Sequence, residues 1–475
     1  MEKRPQSPTP AIEVVILAAG KGTRMKSQRP KVLHRLAGRT LLSHVADTAA
    51  ALDPRQTIVI TGHAAEQVQA SLQTDAAAHP GLKFAHQEPQ LGTGHAVQQA
   101  APWLHDDALV LVLYGDVPLI QADTLRQLVQ ACNNTQLALL TIHLADPSGY
   151  GRIVRAHSGT TVHAIVEEKD ASAAQRQITE VYSGIMAAPG ALLKKWLSQL
   201  TNHNRQGEYY LTDVVQWAVT DGVPVVAHTI CDAVQVTGVN DPVQLAALER
   251  AYQQRAALAL LNQGVRLADP ARLDVRGVLH CDSDVFIDVN CIFEGVVRLG
   301  PGVSIGAHCV IANADIAAGA VIRPFTHIEG GAPGSAQVVQ IGADARIGPF
   351  ARLRAGTKLD ANVHIGNFVE LKNSTLGNGA KANHLAYLGD ATVGEQVNFG
   401  AGSITANYDG AHKHQTHIEA NAHIGSNCVL IAPLTIGAGG TVGGGSTLTK
   451  STAPGALTVA RAQQVSVVNW KRPRK

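Results

Sequence analysis

The sequence predicts two folds in one chain: an α/β domain on a mostly parallel sheet, joined by a helix to a solenoid of six-residue repeats. Three observations predict it. Short apolar runs alternate with polar helical stretches through the first half, the pattern of a parallel sheet covered on both faces. After about Gly277 the composition turns abruptly to Gly, Val, Ile and Ala in short hexads. Between the two lies a segment with both start and stop signals of a helix. At ~100–200 residues per domain, 475 residues hold two or three domains with ample cores.

In chain order, Met1–Pro10 is Pro-rich and expected to be a mobile extension. Ile12–Leu17, Thr57–Ile60, Ala108–Leu113 and Leu137–Thr141 are apolar runs of strand length, and Ala64–Leu72 and Ala122–Ala131 have helical composition. These place an α/β domain over residues 11–240. Asp241-Pro242 then supplies a cap and a first-turn proline, an apolar face runs through Leu248, Tyr252 and Leu261, and Gly264 ends it. Residues 241–264 are thus expected to be a linker helix, with the solenoid and its tail over 265–475.

The solenoid rests on a period. An aliphatic or aromatic residue recurs every sixth position at Ile287, Phe293, Leu299, Ile305 and Ile311, then from Ile341 through Ile347, Leu353, Leu359, Ile365 and Leu371. A third run goes from Ile418 through Ile424, Leu430, Ile436, Val442 and Leu448. Six is no multiple of the helical 3.6, so the repeat fits a strand plus a tight corner. Three hexads close a triangular coil, with the large residue inside and the small one after it turning the corner. The register breaks near Ala312–Ile316, Glu329–Gln340, Leu376 and Thr405–Thr416, where loops are expected to leave the coil and carry function.

Composition excludes several classes. With 39 Lys+Arg against 37 Asp+Glu, no polyanionic partner is indicated, and the basic end Lys471-Arg472-Pro473-Arg474-Lys475 is too short for a nucleic-acid site. Six dispersed Cys (132, 231, 281, 291, 309 and 428) form no C-x-x-C, so neither a disulfide framework nor a zinc ribbon is expected. The early apolar run Val14–Ala19 is far short of the ~20 residues that cross a bilayer, and no signal layout precedes it. A soluble cytoplasmic protein is expected, with no membrane and no nucleic acid among its partners.

Chemistry concentrates at the ends of the expected strands. Ala18-Ala19-Gly20-Lys21-Gly22-Thr23-Arg24 follows the first strand, and a Gly-rich turn there lets backbone N–H groups approach a phosphate that Lys21 and Arg24 can neutralise. It is neither G-x-G-x-x-G nor a P-loop. Lys31 adds a cation, Gln87 and Leu91-Gly92-Thr93-Gly94 a second polar turn, and Leu113-Tyr114-Gly115-Asp116 ends a strand in a carboxylate placed to hold Mg²⁺ on phosphate oxygens. In the hexads, Arg354 follows Leu353 and Lys372 follows Leu371 eighteen residues later, which stacks them one coil apart at ~4.8 Å. Their repulsion is about 3 kcal/mol at an effective dielectric near 20, and an anion between them reverses the sign. His384, twelve residues beyond Lys372, is a candidate general base.

The strings LAAGKGTRM, PKVL, QLGTG, LYGDVPL, GYGRI, IVEEKD, GEYYLTD and GVN resemble nucleotidyltransferases that join a sugar 1-phosphate to a nucleoside triphosphate. With the hexads behind them, the chain from Val14 to Pro473 resembles the bifunctional N-acetylglucosamine-1-phosphate uridyltransferase/glucosamine-1-phosphate N-acetyltransferase family. The resemblance implies a Rossmann-like nucleotidyltransferase domain and a left-handed parallel β-helix that trimerises, with coenzyme A held between neighbours. It implies acetyl transfer from acetyl-CoA to glucosamine 1-phosphate, then uridylyl transfer from UTP to N-acetylglucosamine 1-phosphate, feeding peptidoglycan and lipopolysaccharide precursors.

Residue by residue, it implies that Leu17, Ala18, Ala19, Gly20, Gln87, Gly92 and Thr93 hold the uracil and ribose, with Tyr114 and Gly115 also at the nucleotide sugar. Arg24 and Lys31 face the phosphates, and Asp116 and Asn240 bind Mg²⁺. Gly151, Glu167, Tyr182, Tyr210 and Thr212 lie on the sugar, although Tyr182 stands where the family usually carries Asn. Arg354 and Lys372 bind the phosphate of glucosamine 1-phosphate, Tyr387 and Asn398 its sugar, and His384 is the base. Asn407, Tyr408, Ser426, Gly444 and Arg461 lie near acetyl-CoA, Tyr408 also reaching the amino sugar. Two other readings remain open at this point: a β-helix that is only a trimerising scaffold, and a zinc hydratase using His412, His414 and His417.

Overall fold

The computed structural model describes residues 10–73, 79–156, 159, 161–332 and 334–473. Residues 1–9 of the expected extension and Arg474 and Lys475 of the basic end lie outside them. The chain divides into two compact units, Met1–Tyr252 and Gln253–Lys475, and the boundary falls inside the helix Pro242–Asn262.

The first unit is built on a nine-stranded sheet. Its main path runs Val225–Ile230, Leu137–His143, Glu180–Pro189, Leu109–Tyr114, Ile12–Leu17, Gln56–Thr61, Leu82–His86. Val14, Val15 and Ile16 are fully buried, because helices cover both faces of a central parallel strand, and this is why the run reads as continuously apolar. Leu17 lies in register with Tyr114 on one side and Ile60 on the other. The carboxyl ends of these three strands therefore share one edge, the place where open parallel sheets bind ligands.

Off this path Arg152–Arg155 and Val162–Val166 pair antiparallel; on it, Glu180–Pro189 is the exception to parallel order and was not predicted. It runs antiparallel to both Leu109–Tyr114 and Leu137–His143, with a register shift between Tyr182 and Met186. Gly184, at φ +93°, sits in that bulge, and the Ser183 hydroxyl donates to the Leu140 carbonyl at 2.8 Å. Bulges re-aim side chains beside functional sites, and this one carries Tyr182.

The second unit is a parallel β-helix. Eleven strands stack along one face, from Arg266–Leu267 to Leu457–Thr458, and sixteen more form the other faces. Hexad residues point inward as expected: Ile305, Ile347, Leu353, Ile365 and Leu371 are fully buried. The period is confirmed in the pairing, since Leu353 lies on Leu371 and Ile347 on Ile365, each eighteen positions on.

Two expectations need correction. The corner is turned by a left-handed residue further along, such as His308 at φ +60° or Asn362 at φ +59°. The glycine after the aliphatic position answers a different need: a Cβ on Gly366 would lie 2.0 Å from the Asn383 carbonyl oxygen, and one on Gly342 2.4 Å from the Asp360 carbonyl carbon of the next coil. Nor do all four register breaks extrude loops. Ala312–Ile316 lies inside the strand Val310–Ile316, and Leu376 inside Thr375–Leu376; there the coil shortens by one residue, Ile305 pairing with Ile322 and Leu359 with Leu376. Only the breaks at Glu329–Gln340 and Thr405–Thr416 leave the coil, where Ile328 pairs with Leu353 and Val393 with Ile418, seven residues beyond a full turn.

All six cysteines are free. Among the described residues no helix is long and apolar enough to cross a membrane.

Candidate active sites

A cavity of about 350 Å³ opens at the shared strand edge of the first unit. Leu17, Ala18, Ala19 and Gly20 line one side, Gln87, Gln90, Gly92 and Thr93 another, and Lys31, Tyr114, Asp116 and Glu208 are among the remaining lining residues. The turn after the first strand is held from below, where Ala18 N–H donates to the Ile60 carbonyl at 2.9 Å and Gly115 N–H to the Leu17 carbonyl at 3.0 Å. The Gly92 turn is zipped to a distant segment: Gly94 N–H donates to Tyr209 O at 2.8 Å and Leu211 N–H to the Thr93 hydroxyl at 3.2 Å. Gly92 adopts φ +107°, and a Cβ there would lie 2.7 Å from Tyr209 O, so this position requires glycine.

Four polar groups converge at one end of the cavity. Lys31 forms an ion pair with Asp116, and its Nζ also donates to Asn240 Oδ1 at 3.3 Å. Arg24 donates to the same oxygen at 3.0 Å. Val239 N–H bonds the Asp116 carbonyl at 2.9 Å, which ties the GVN segment to the end of the Asp116 strand.

The expected sugar-side residues form an adjoining, more buried cluster. Thr212 Oγ1 donates to Glu167 Oε1 at 3.0 Å, and burial raises the Glu167 carboxyl above its ordinary range. Tyr182 N–H donates to Gly151 O at 2.9 Å, and Gln206 donates to the Tyr210 hydroxyl at 2.7 Å. The Tyr182 hydroxyl donates to Gly184 O at 2.7 Å, so the bulge already occupies that donor. Burial, with Tyr114 and Glu167 beside it, pushes the Tyr182 phenol well up. The cluster also contains Asp213, whose carboxyl is raised to about 6 by burial first and then by Glu167 and Asp170.

In the β-helix, a cavity of about 560 Å³ is lined by Arg354, Lys372, Lys413, Asp390, Asn373, Glu329 and Gln337, among others. Arg354 and Lys372 follow paired leucines on adjacent coils, as expected, and Arg354 leans to Glu370, at 3.0 Å. Lys413, which the period could not point to, comes from the extruded Thr405–Thr416 loop and is the largest cause that lowers the Lys372 pKa, ahead of burial. Asp390 is gripped by Asn373 and Asn407. A Cβ on Gly389 would meet the Tyr387 hydroxyl and the Asn407 amide, which places Tyr387 in the same neighbourhood.

Other residues lie apart from that cavity. His384 ends Lys381–His384 on the eleven-strand face, where Asn398 pairs with Lys381 on the next coil. Arg461 donates to Gly444 O at 2.6 Å, and Ser426 lies beside Gly444, a third group. Tyr408 is exposed and donates to Gly410 O within its loop. Of the hydratase candidates, His414 contacts Asp409 at 2.7 Å and His417 lies in a strand; among the described residues no group of three or more metal-binding side chains forms.

A parallel sheet with a Gly-rich turn, cations and a carboxylate at its strand ends defines a nucleotidyltransferase, and residues 14–181 match the MobA-like NTP transferase domain. Whole-chain relatives narrow this. Proteins described as "Bifunctional protein GlmU" are 72% identical in Albidiferax ferrireducens, over 98% of this chain and all of that protein. Those of Polaromonas naphthalenivorans and Nitrosospira multiformis are 67% and 53% identical, each over 98% of both chains. The chain belongs to the bifunctional GlmU family. It is a bifunctional transferase of UDP-N-acetylglucosamine synthesis, with uridyltransferase and acetyltransferase activities.

Proposed function

We propose that residues 11–240 transfer the uridylyl group and residues 265–475 the acetyl group, joined by the helix at 241–264, in a cytoplasmic homotrimer. Acetyl transfer comes first: the amine of glucosamine 1-phosphate attacks the thioester carbon of acetyl-CoA, His384 takes the proton lost by nitrogen, the C–S bond breaks, and His384 returns that proton to the departing thiolate so that coenzyme A leaves as the thiol. Arg354, Lys372 and Lys413 hold the phosphate, and turning like charges toward one anion relieves their mutual repulsion. Uridylyl transfer follows: a phosphate oxygen of N-acetylglucosamine 1-phosphate attacks the α-phosphorus of UTP and pyrophosphate leaves.

The observation that carries the uridylyl reading is the convergence of Asp116, Asn240, Lys31 and Arg24 at the strand ends. Asp116 and Asn240 offer two hard oxygen donors already drawn to cations, a set that suits Mg²⁺, which keeps waters and takes substrate phosphate oxygens for its remaining positions. Bound there, magnesium would supply charge neutralisation on the reacting phosphates. Arg24 and Lys31 do the same from the protein, and no protein nucleophile is needed. Asp116→Ala should abolish pyrophosphate release from UTP while leaving acetyl transfer intact; near-normal release would remove the metal assignment.

Two features support the trimer. His308, Phe325, Phe350 and Phe368 stack ring on ring at 4.8 to 5.3 Å, with each Phe about half exposed, an apolar stripe suited to burial against a copy of itself. The His384, Arg354 and Arg461 groups are also separate in one chain, as expected of a site completed between subunits.

A further inference from the structure

The strand His364–Asn367 lies under Lys381–His384 on the next coil, with Asn367 and His384 paired in register. The coils are clamped just before this pair, since Gly366 approaches the Asn383 carbonyl so closely that no Cβ fits. His384 Nδ1 lies 2.9 Å from Asn367 Oδ1. An amide oxygen accepts and does not donate, so Nδ1 carries the proton and the free lone pair of the neutral ring is confined to Nε2. We propose that Asn367 is a positioning residue for acetyl transfer, fixing His384 in the tautomer and orientation whose Nε2 receives the proton of the amine.

This rests on the reading of His384 as the base. The charged and titratable groups that act on His364, on the strand of Asn367, are Arg323 and Arg346 on earlier coils and Lys381 and His384 on the next. Asn398 and then His423 follow on later coils. None of these is a carboxylate. A neutral amide orients the ring without favouring the imidazolium, whereas an acid in the same place would hold the proton the base must release.

The test uses the full-length protein, measuring acetyl transfer from acetyl-CoA to glucosamine 1-phosphate across pH, with uridylyl transfer as the control for an intact chain. Asn367→Leu should lower kcat roughly 10- to 100-fold, the usual cost of losing an orienting partner, and leave KM for the sugar within about twofold. Asn367→Asp keeps an acceptor, so it should recover much of the turnover at high pH while its acid limb moves to higher pH, because the carboxylate stabilises the protonated ring. Turnover of Asn367→Leu within about twofold of the parent, or an Asn367→Asp profile that overlays the parent, would overturn the proposal. His384→Ala in parallel separates the two readings: if it alone loses turnover, only the positioning role falls, and if it keeps turnover, the base assignment falls first.

Discussion

Replacing Lys413 by Met tests whether the cavity between the coils is an anion cradle. The side chain keeps its length and loses its charge. Lys413 lines the cavity with Arg354 and Lys372, and its proximity is the first cause that lowers the Lys372 pKa, so in the empty protein it is a source of repulsion. With a phosphate bound it becomes a donor to a charged oxygen, an interaction of about 1.5–3 kcal/mol, or roughly a 10- to 100-fold change in affinity. The same substitution should therefore weaken the sugar phosphate while leaving the empty protein no less stable. Steady-state acetyl transfer should show KM for glucosamine 1-phosphate raised by that factor, with kcat changed by no more than about threefold and a weaker dependence of KM on salt. Differential scanning fluorimetry without substrate should give a Tm equal to or above that of the parent. An unchanged KM would refute the cradle, and a lowered Tm with a normal KM would show that Lys413 only supports its loop.

His384→Ala should lower acetyl turnover by ~10²–10⁴-fold without affecting uridylyl transfer, the usual worth of a positioned base, as read in separate assays of the two half-reactions. Asp213 has a folded-state pKa raised to about 6, above the ordinary carboxylate value, so its ionisation opposes folding fully above pH 6, and the penalty fades as pH falls toward 4. Asp213→Asn should therefore raise Tm at pH 8 and change it little at pH 4; an equal change at both would show that the carboxylate is not desolvated. Multi-angle light scattering of the full chain should return three copies, and a monomer at assay concentrations would remove the trimer.

Periodicity made the second unit legible because each hexad answers a local demand: an inward apolar residue, a glycine where the next coil touches, a left-handed corner. It could not reveal Lys413, which reaches the cations through a loop closed by the Tyr408–Lys413 bridge, nor distinguish a shortened coil at Leu376 from a loop. In the first unit, the parallel strands announced themselves as unbroken apolar runs. Glu180–Pro189 did not, because Gly184 and the final Pro interrupt the strand pattern that its bulge tolerates. Asp116, Lys31 and Arg24 were readable as charges at strand ends. Their meeting at Asn240, more than two hundred residues from Arg24, depends on the fold, and only the family resemblance pointed to it.

The contact between Gly366 and the Asn383 carbonyl, repeated from coil to coil at Gly342 and Gly425, makes the solenoid a ruler. Backbone meets backbone with no side chain between to swell or yield, so the rise per coil stays near the ~4.8 Å of strand pairing. Distances between functional groups along the axis then come in whole rungs. Specificity for a longer or shorter substrate can change only by moving a residue to another coil or by resizing an extruded loop, and gradual drift in spacing is not open to this architecture.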